Sequence, residues 1–138
     1  MNNCLFLPNK ITIMIELLQS IIQREAEALK NIPLTEDYEK AMDLVIGHVH
    51  EKKGKVVVSG MGKAGQIGAN IATTLASTGT PAFFLHPSEA QHGDLGIVQP
   101  DDVLILISNS GKTREIIELI DLAHNLYRDL PLIVITGN

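Results

Sequence analysis

A short polar turn, Ser108-Asn109-Ser110-Gly111-Lys112-Thr113, follows an apolar run that ends at Ile107. The turn offers three hydroxyl groups and a side-chain amide, and its glycine lets a ligand approach the backbone closely. A helical pattern begins near Thr113, and the start of a helix directs free amides and a positive dipole end toward the same place. The turn therefore predicts a phosphate site. Helix capping by Ser110 or Thr113 is the simpler alternative, but it needs only one hydroxyl.

Two glycine-rich patterns point to other phosphate ligands. Gly60-Met61-Gly62-Lys63-Ala64-Gly65 fits the G-x-G-x-x-G pattern of dinucleotide sites. Such sites also need an acidic residue at the end of the next strand, and here Leu85-His86-Pro87 places no carboxylate before Glu89. Gly111-Lys112-Thr113 resembles the end of a P-loop, but the position of the first P-loop glycine holds Leu106. The sequence thus disfavours a dinucleotide and excludes a P-loop.

Apolar runs alternate with helical patterns along most of the chain. The runs are almost continuously apolar, which indicates strands that are buried on both faces. Strands that alternate with helices predict an α/β fold, with a parallel sheet between two helical layers. The predicted strands cover residues 55–59, 82–85, 103–107 and 132–135, and the helices that connect them cover 65–77 and 113–126.

The first 50 residues show helical spacing of apolar side chains over 13–29 and again over 35–49, with Thr35 as the expected N-cap of the second helix. We predict a helical hairpin over residues 13–50 that packs on the core of residues 54–138 or on a partner chain. The whole chain, 1–138, is expected to form one domain. Because a helix normally follows a parallel strand, the ending soon after residue 135 predicts that the C-terminal part of this domain is missing.

Composition and charge exclude several classes of protein. The 138 residues carry a net charge of -5 and show no cluster of Lys or Arg, so a nucleic-acid partner is not expected. Cys4 is the only cysteine, which rules out an internal disulfide and suits a reducing compartment. No apolar run approaches the roughly 20 residues of a membrane-spanning helix, and the start lacks the basic region of a signal peptide. We expect a cytoplasmic protein.

These motifs together resemble the sugar isomerase (SIS) domain family, whose hallmark turn is serine-x-serine-glycine-x-(serine or threonine). The likeness is closest to the arabinose-5-phosphate isomerase branch and runs from about Gly54 to Asn138. The segments that carry it, besides Ser108 to Thr113, are Gly60-Met61-Gly62-Lys63, Ala76-Ser77-Thr78-Gly79-Thr80-Pro81-Ala82-Phe83-Phe84, His86-Pro87-Ser88-Glu89-Ala90 and His92-Gly93-Asp94-Leu95-Gly96.

The resemblance implies a flavodoxin-like α/β/α sandwich, a homotetramer, and interconversion of D-arabinose 5-phosphate and D-ribulose 5-phosphate. The product of such enzymes feeds synthesis of the eight-carbon acid sugar Kdo for lipopolysaccharide or capsule. Aldose–ketose isomerisation moves a proton between adjacent carbons, so no cofactor is expected. A non-catalytic sugar-phosphate-binding or regulatory module and an isomerase of seven-carbon sugars remain the alternatives.

The resemblance also carries over residue roles. Lys63 matches a functional lysine and Glu115 a catalytic glutamate of the family, whereas the family's remaining catalytic glutamate and histidine have no position in this sequence. His86 and His92 could donate a proton or bind substrate hydroxyls, and their spacing around Glu89 gives poor metal-ligand geometry, so no metal is predicted. The predicted substrate and phosphate contacts are Ser59, Gly60, Ser108, Asn109, Ser110 and Thr113.

Overall fold

The computed structural model describes residues 9–137, which form two compact units that divide between Thr35 and Glu36. The first unit contains helix α1 (Lys10–Lys30), and the side-chain oxygen of Asn9 caps it by accepting a hydrogen bond from the Thr12 amide at 2.9 Å. No residue of α1 is buried. The hairpin over residues 13–50 and its packing stay predictions. The expectations for the N-terminal leader and for Cys4 fall on residues 1–8, outside the described residues, as does Asn138.

The second unit is built around one parallel sheet. Its four strands run in the order β2-β1-β3-β4, and every pair of neighbours is parallel. This arrangement confirms the predicted α/β class. In chain order the elements are α2 (Asp37–Val45), β1 (Val56–Gly60), α3 (Gly62–Ser77), β2 (Ala82–Phe84), α4 (Pro87–Ala90), β3 (Val103–Ile107), α5 (Arg114–Leu126) and β4 (Leu132–Ile135).

Both faces of the sheet are covered, because side chains of one strand alternate between two apolar clusters. Val57 and Leu106 belong to one cluster with Leu119 of α5. Val58 belongs to the other, with Ala72 of α3. Successive residues of a strand point to opposite faces, so each cluster is one layer of contact between helix and sheet. The α/β/α sandwich predicted from the alternation of elements is confirmed.

Strand burial differs between the centre and the edges of the sheet. All five residues of β1 are buried, as the apolar run predicts. In β4, by contrast, Val134 is 52% exposed and Ile135 is 48% exposed, and in β2 Phe83 is 37% exposed, so the prediction of burial on both faces is wrong for these two strands. The reason is their place in the sheet: β2 and β4 are the edge strands, and each pairs with a single strand among the described residues.

The second helix differs from the prediction at both ends. Glu36, with helical dihedral angles of -59° and -14°, takes the N-cap position in place of Thr35. The α-helix ends at Val45 and continues as a π-helical segment, Ile46–Glu51, in which the Lys52 amide donates to the Gly47 carbonyl at 3.2 Å. Periodicity of apolar residues does not distinguish a π turn from an α turn over so short a stretch.

A buried carboxylate joins the amino-terminal ends of β1 and β3. Asp102, 1% exposed, accepts hydrogen bonds from the Lys55 amide at 2.9 Å and the Gln99 amide at 2.8 Å. The ammonium of Lys55 lies 2.6 Å from the second carboxylate oxygen and also donates to the Ile97 carbonyl at 2.8 Å. Because these donors come from two distant segments, the carboxylate fixes the start of both central strands.

We expect Asp102→Asn to lower the free energy of unfolding by about 2–4 kcal/mol, because it leaves the partly buried Lys55 ammonium without its counter-charge. Urea unfolding followed by circular dichroism measures the change. The matched control is Asp101→Asn, which alters an exposed neighbour and should change stability by no more than about 0.5 kcal/mol. Equal effects of the two substitutions would contradict this role of Asp102.

Candidate active site

The strand register brings the sequence-predicted residues to one edge of the sheet. Gly60 at the end of β1 pairs with Ile107 at the end of β3, and Ile107 pairs with Ile135 of β4. The turns that follow these strands therefore start at the same level. This carboxyl edge holds Lys63 after β1, His86 and His92 after β2, and the turn from Ser108 to Thr113, with Glu115 beyond it, after β3.

The glycines of the first turn have two separate functions. Gly60 and Gly65 allow the end of β1 and the first turn of α3 to touch through backbone atoms: a Cβ atom on Gly65 would lie 2.5 Å from the Gly60 carbonyl oxygen. Gly62 has a positive φ of 56° and open space around it. The tight joint between strand and helix thus explains the glycine pattern that resembles a dinucleotide fingerprint. Helix α3 starts at Gly62, which is earlier than predicted.

The polar turn after β3 closes on itself. Ser108 Oγ, in a residue only 3% exposed, lies 2.8 Å from Thr113 Oγ1, so the two hydroxyls join the ends of the turn. Thr113 takes the N-cap position of α5 but makes no capping hydrogen bond there. Gly111 has a φ of 63°, in the left-handed region that glycine favours. The first amides of α5 are consequently directed at the turn without competition from the Thr113 hydroxyl.

The backbone of the same turn is held from the β4 side. The Ser108 amide donates to the Ile135 carbonyl at 3.0 Å, and the Gly137 amide donates to the Asn109 carbonyl at 3.1 Å. A Cβ atom on Gly137 would lie 3.2 Å from the Asn109 carbonyl oxygen, so the two backbone segments approach each other closely here. The Ser110 hydroxyl accepts from the Lys112 amide at 3.1 Å. Hydrogen bonds from β4 and from within the turn therefore fix the backbone conformation of residues 108–112.

The two histidines of the predicted set have different environments. His86 is half-buried, and its ring packs edge-to-face on Phe84 with ring centroids 6.5 Å apart. Its buried Nδ1 has no hydrogen-bond partner within residues 9–137. His92 is exposed and lies two residues beyond the end of α4, where its amide donates to the Glu89 carbonyl at 2.9 Å. His86 is thus fixed by packing, whereas His92 depends on the position of its loop.

Lys63 and Glu115 each lie in the first turn of a helix, α3 and α5 respectively. Lys63 is exposed and Glu115 is half-buried. Neither side chain makes a hydrogen bond or an ion pair within the part of the chain that the structure describes. The ammonium of Lys63 and the carboxylate of Glu115 therefore stand at this edge without a hydrogen bond or ion pair to another described residue.

Ser59 has an internal hydrogen bond. Its hydroxyl is buried and donates to the Leu85 carbonyl at 2.6 Å, while the Leu85 amide donates to the Val58 carbonyl at 2.9 Å. These bonds tie the end of β1 to the start of the segment that carries His86. The substrate contact predicted for Ser59 stays a prediction.

A polar bridge that the sequence did not predict connects α5 to the loop that carries His86 and His92, here called the histidine loop. Gln91 Nε2 donates to Glu118 Oε2 at 2.8 Å, and Arg114 Nε donates to Glu118 Oε1 at 2.6 Å. The hydrogen bond from Arg114, followed by that from Gln91, lowers the pKa of Glu118 below its ordinary value. The Arg114–Glu118 spacing of four residues could have suggested a helical pair. No local pattern links Gln91 to a residue 27 positions later.

The described residues present this edge as an open surface. Lys63, His92, Asn109, Ser110 and Lys112 are all exposed. Within residues 9–137 no group of three or more His, Cys, Asp or Glu side chains is placed to hold a metal ion. The donors at this edge include hydroxyls, backbone amides, the side-chain amide of Asn109 and the ammonium groups of Lys63 and Lys112. Groups of these kinds bind phosphate and sugar oxygens in proteins.

A parallel α/β/α sandwich with a serine-rich turn at the carboxyl end of its third strand is the arrangement of the SIS domain, and the model of that family matches residues 48–138. The chain therefore belongs to the SIS domain family. Among curated relatives it is 49% identical over 112 residues to arabinose 5-phosphate isomerase KdsD of Francisella tularensis subsp. tularensis, which covers 81% of this chain and 33% of that protein. It is 64% identical over 85 residues to KdsD of Shigella flexneri. That match covers 62% of this chain and 25% of that protein.

Two solved structures support the same assignment. A proposed phosphosugar isomerase involved in capsule formation from Bacteroides fragilis NCTC 9343 is 66% identical, with a TM-score of 0.90 over 91% of this chain and 65% of that one. E. coli CFT073 c3406, solved in complex with arabinose 5-phosphate, is 39% identical, and its TM-score is 0.81. The match covers 100% of this chain and 67% of that one. The chain spans about a quarter to a third of the length of these curated relatives.

We expect Gly65→Ala to lower the free energy of unfolding by about 1–3 kcal/mol, because its Cβ would press on a backbone carbonyl that cannot rotate away. Chemical denaturation measures the loss. Gly47→Ala is the control: no atom lies within 4 Å of the added Cβ, and alanine should be neutral or stabilise the helical segment by up to about 1 kcal/mol. A Gly65→Ala protein as stable as the Gly47→Ala protein would disprove the close contact at this joint.

Proposed function

We propose that the full-length protein carrying this sequence interconverts D-arabinose 5-phosphate and D-ribulose 5-phosphate. The observation that supports the proposal is the turn from Ser108 to Thr113, whose hydroxyls adjoin the free amides at the start of α5. Groups of this kind can hold a phosphate dianion. Relatives at 49% and 64% identity are named arabinose 5-phosphate isomerases. A structural relative that spans the whole of this chain was solved with arabinose 5-phosphate.

In this proposal the phosphate anchor positions the reacting end of an open-chain pentose. Ser108, Ser110, Thr113 and the amides near Asn109 hold the phosphate. Gly60, whose Cβ position is filled by the backbone of Ala64, would act through its own backbone at the end of β1. Anchoring the remote phosphate turns proton transfer at the carbonyl end into a step within one complex. The substrate contact of Ser59, whose hydroxyl bonds to Leu85, would then be indirect, through the position of the β1 end.

The chemistry is a proton transfer between adjacent carbons. A base removes the proton from C2 of the aldose and returns it to C1, while a hydroxyl proton passes between O2 and O1 through an enediol-like state. Lys63, Glu115, His86 and His92 are the proposed catalytic groups. The free ammonium of Lys63 suits stabilisation of the developing oxygen charge. The carboxylate of Glu115 and the two imidazoles suit proton transfer. The reaction is redox-neutral, so we propose no cofactor.

The test is conversion of arabinose 5-phosphate by the full-length protein in deuterated water, followed by proton NMR. Removing a general acid, general base or charge stabiliser should lower kcat about 10²–10⁴-fold, which is the expectation for Lys63→Ala and Glu115→Gln. Removing a hydroxyl that binds a charged phosphate should mainly raise KM, by about tenfold or more, in Ser110→Ala and Thr113→Val. Asp121→Asn, an exposed carboxylate of the same helix α5, is the control.

If the full-length protein shows no conversion and no deuterium incorporation, the isomerase proposal is refuted. Phosphate-dependent binding without exchange would instead indicate a non-catalytic sugar-phosphate module, which the comparisons do not favour. Faster turnover of a seven-carbon sugar phosphate in the same assay would change the substrate but keep the reaction.

We place the enzyme in the cytoplasm, in the supply of Kdo for lipopolysaccharide or capsule. No helix within residues 9–137 is long and apolar enough to cross a membrane.

We also propose a homotetramer. Helix α1 presents Ile11, Ile15, Leu18 and Ile22 along one side, and these residues are 50–69% exposed. Apolar residues at this spacing form a stripe that a second copy of the helix can cover. Light scattering should give a tetramer for the full-length protein and a smaller species for Leu18→Glu. Ser20→Glu adds the same charge on the opposite side of α1 and should leave the tetramer intact. A monomeric wild type would refute the assembly.

A further inference from the structure

We propose that Gln91 and Glu118 are positioning residues, which hold the loop that carries His92 against the helix that carries Glu115. This inference rests on the proposed isomerase. The hydrogen bond from Gln91 Nε2 to Glu118 Oε2, 2.8 Å long, is a side-chain link between the segment after β2 and helix α5. Gln91 directly precedes His92, and Glu118 lies three residues after Glu115, on the same side of α5.

The loop needs such a link because its own helical structure is minimal. Helix α4 has four residues, and its closing bonds are the Ala90 amide to the His86 carbonyl at 3.0 Å and the His92 amide to the Glu89 carbonyl at 2.9 Å. Gly93 follows with a φ of 120° and ends the turn. One turn of helix does not hold its own orientation in water. The direction of His92 is therefore set by contacts outside the loop.

Apolar packing supplies only part of that orientation. Ala90 and Leu95, on either side of His92, are buried in the same cluster as Ile116 and Leu119 of α5. Apolar contact is not directional, so it keeps the loop against α5 but leaves rotation about its own axis undetermined. The bond from Gln91 to Glu118 lies between these two anchor points and fixes that rotation.

Arg114 fixes the other oxygen of the same carboxylate. Arg114 Nε donates to Glu118 Oε1 at 2.6 Å, so both oxygens of Glu118 are occupied and its rotamer is set. The Arg114 side chain is 85% exposed, and ion pairs of this kind add little to stability. The function of the bridge is consequently geometric: the orientation of His92 relative to Glu115 should change on its removal, while the fold persists.

The experiment compares Gln91→Ala, Glu118→Ala and the exchanged double variant Gln91→Glu/Glu118→Gln in the full-length protein. We expect each single variant to lower kcat about tenfold with KM changed less than about twofold, because the phosphate anchor is untouched while proton transfer is misaligned. The melting temperature should fall by no more than about 2 °C. The exchanged pair restores a hydrogen bond with donor and acceptor reversed and should recover kcat to within about threefold. Asp121→Ala is the control.

Single variants with the kcat of Asp121→Ala, or an exchanged pair no better than the single variants, would overturn the positioning role. So would a loss of kcat that only follows a loss of folded protein. Amide hydrogen exchange of residues 88–93 gives a readout that does not depend on turnover: it should speed up in both single variants and return toward wild type in the exchanged pair. A wild type without isomerase activity would refute the proposed function, while this exchange pattern would still decide whether the bridge orders the loop.

Discussion

The site depends on backbone atoms of β1 and α3 that are in direct contact. Gly60 and Gly65 leave no side chain between the strand end and the first helical turn, so the distance between these elements is set by the contact radii of main-chain atoms. The pairing of Gly60 with Ile107 then transfers that position to the turn after β3. As a result Lys63 and the turn from Ser108 to Thr113 keep a defined separation, although they come from turns about 45 residues apart in sequence.

The sequence predicted the parts of the fold that follow from local periodicity. Strands β3 and β4 have the predicted limits, and β1 and β2 are each displaced by a single residue at one or both ends. Helix starts were less accurate. Helix α3 begins at Gly62, because a glycine in the left-handed region turns the chain directly into the helix. The exposure of Val134 follows from the position of β4 at the sheet edge, which hydropathy does not reveal.

In the candidate site, too, the features that depend on neighbouring residues in sequence were predicted and those that depend on tertiary contacts were not. The serine-rich turn was recognisable because its hydroxyls, its glycine and the following helix are adjacent in sequence. The closure of that turn by Ser108 and Thr113, the hydrogen bond of Ser59 to Leu85, and the bridge from Gln91 to Glu118 were not predicted. Each depends on a side-chain rotamer or on tertiary contact, and hydroxyl and amide groups have several partners available within a few ångströms.

The position of the Asp102 carboxylate affects which parts of this fold can vary during evolution. It joins β1 and β3 at the ends opposite to the carboxyl edge. Its donors, Lys55 and Gln99, belong neither to the turn from Ser108 to Thr113 nor to the loop that carries His86 and His92. The loops at the carboxyl edge can therefore accept substitutions without weakening this fastening. A scaffold of this kind can acquire new ligand specificity by changes in its loops, because the contact that holds its central strands together lies at the opposite ends of those strands.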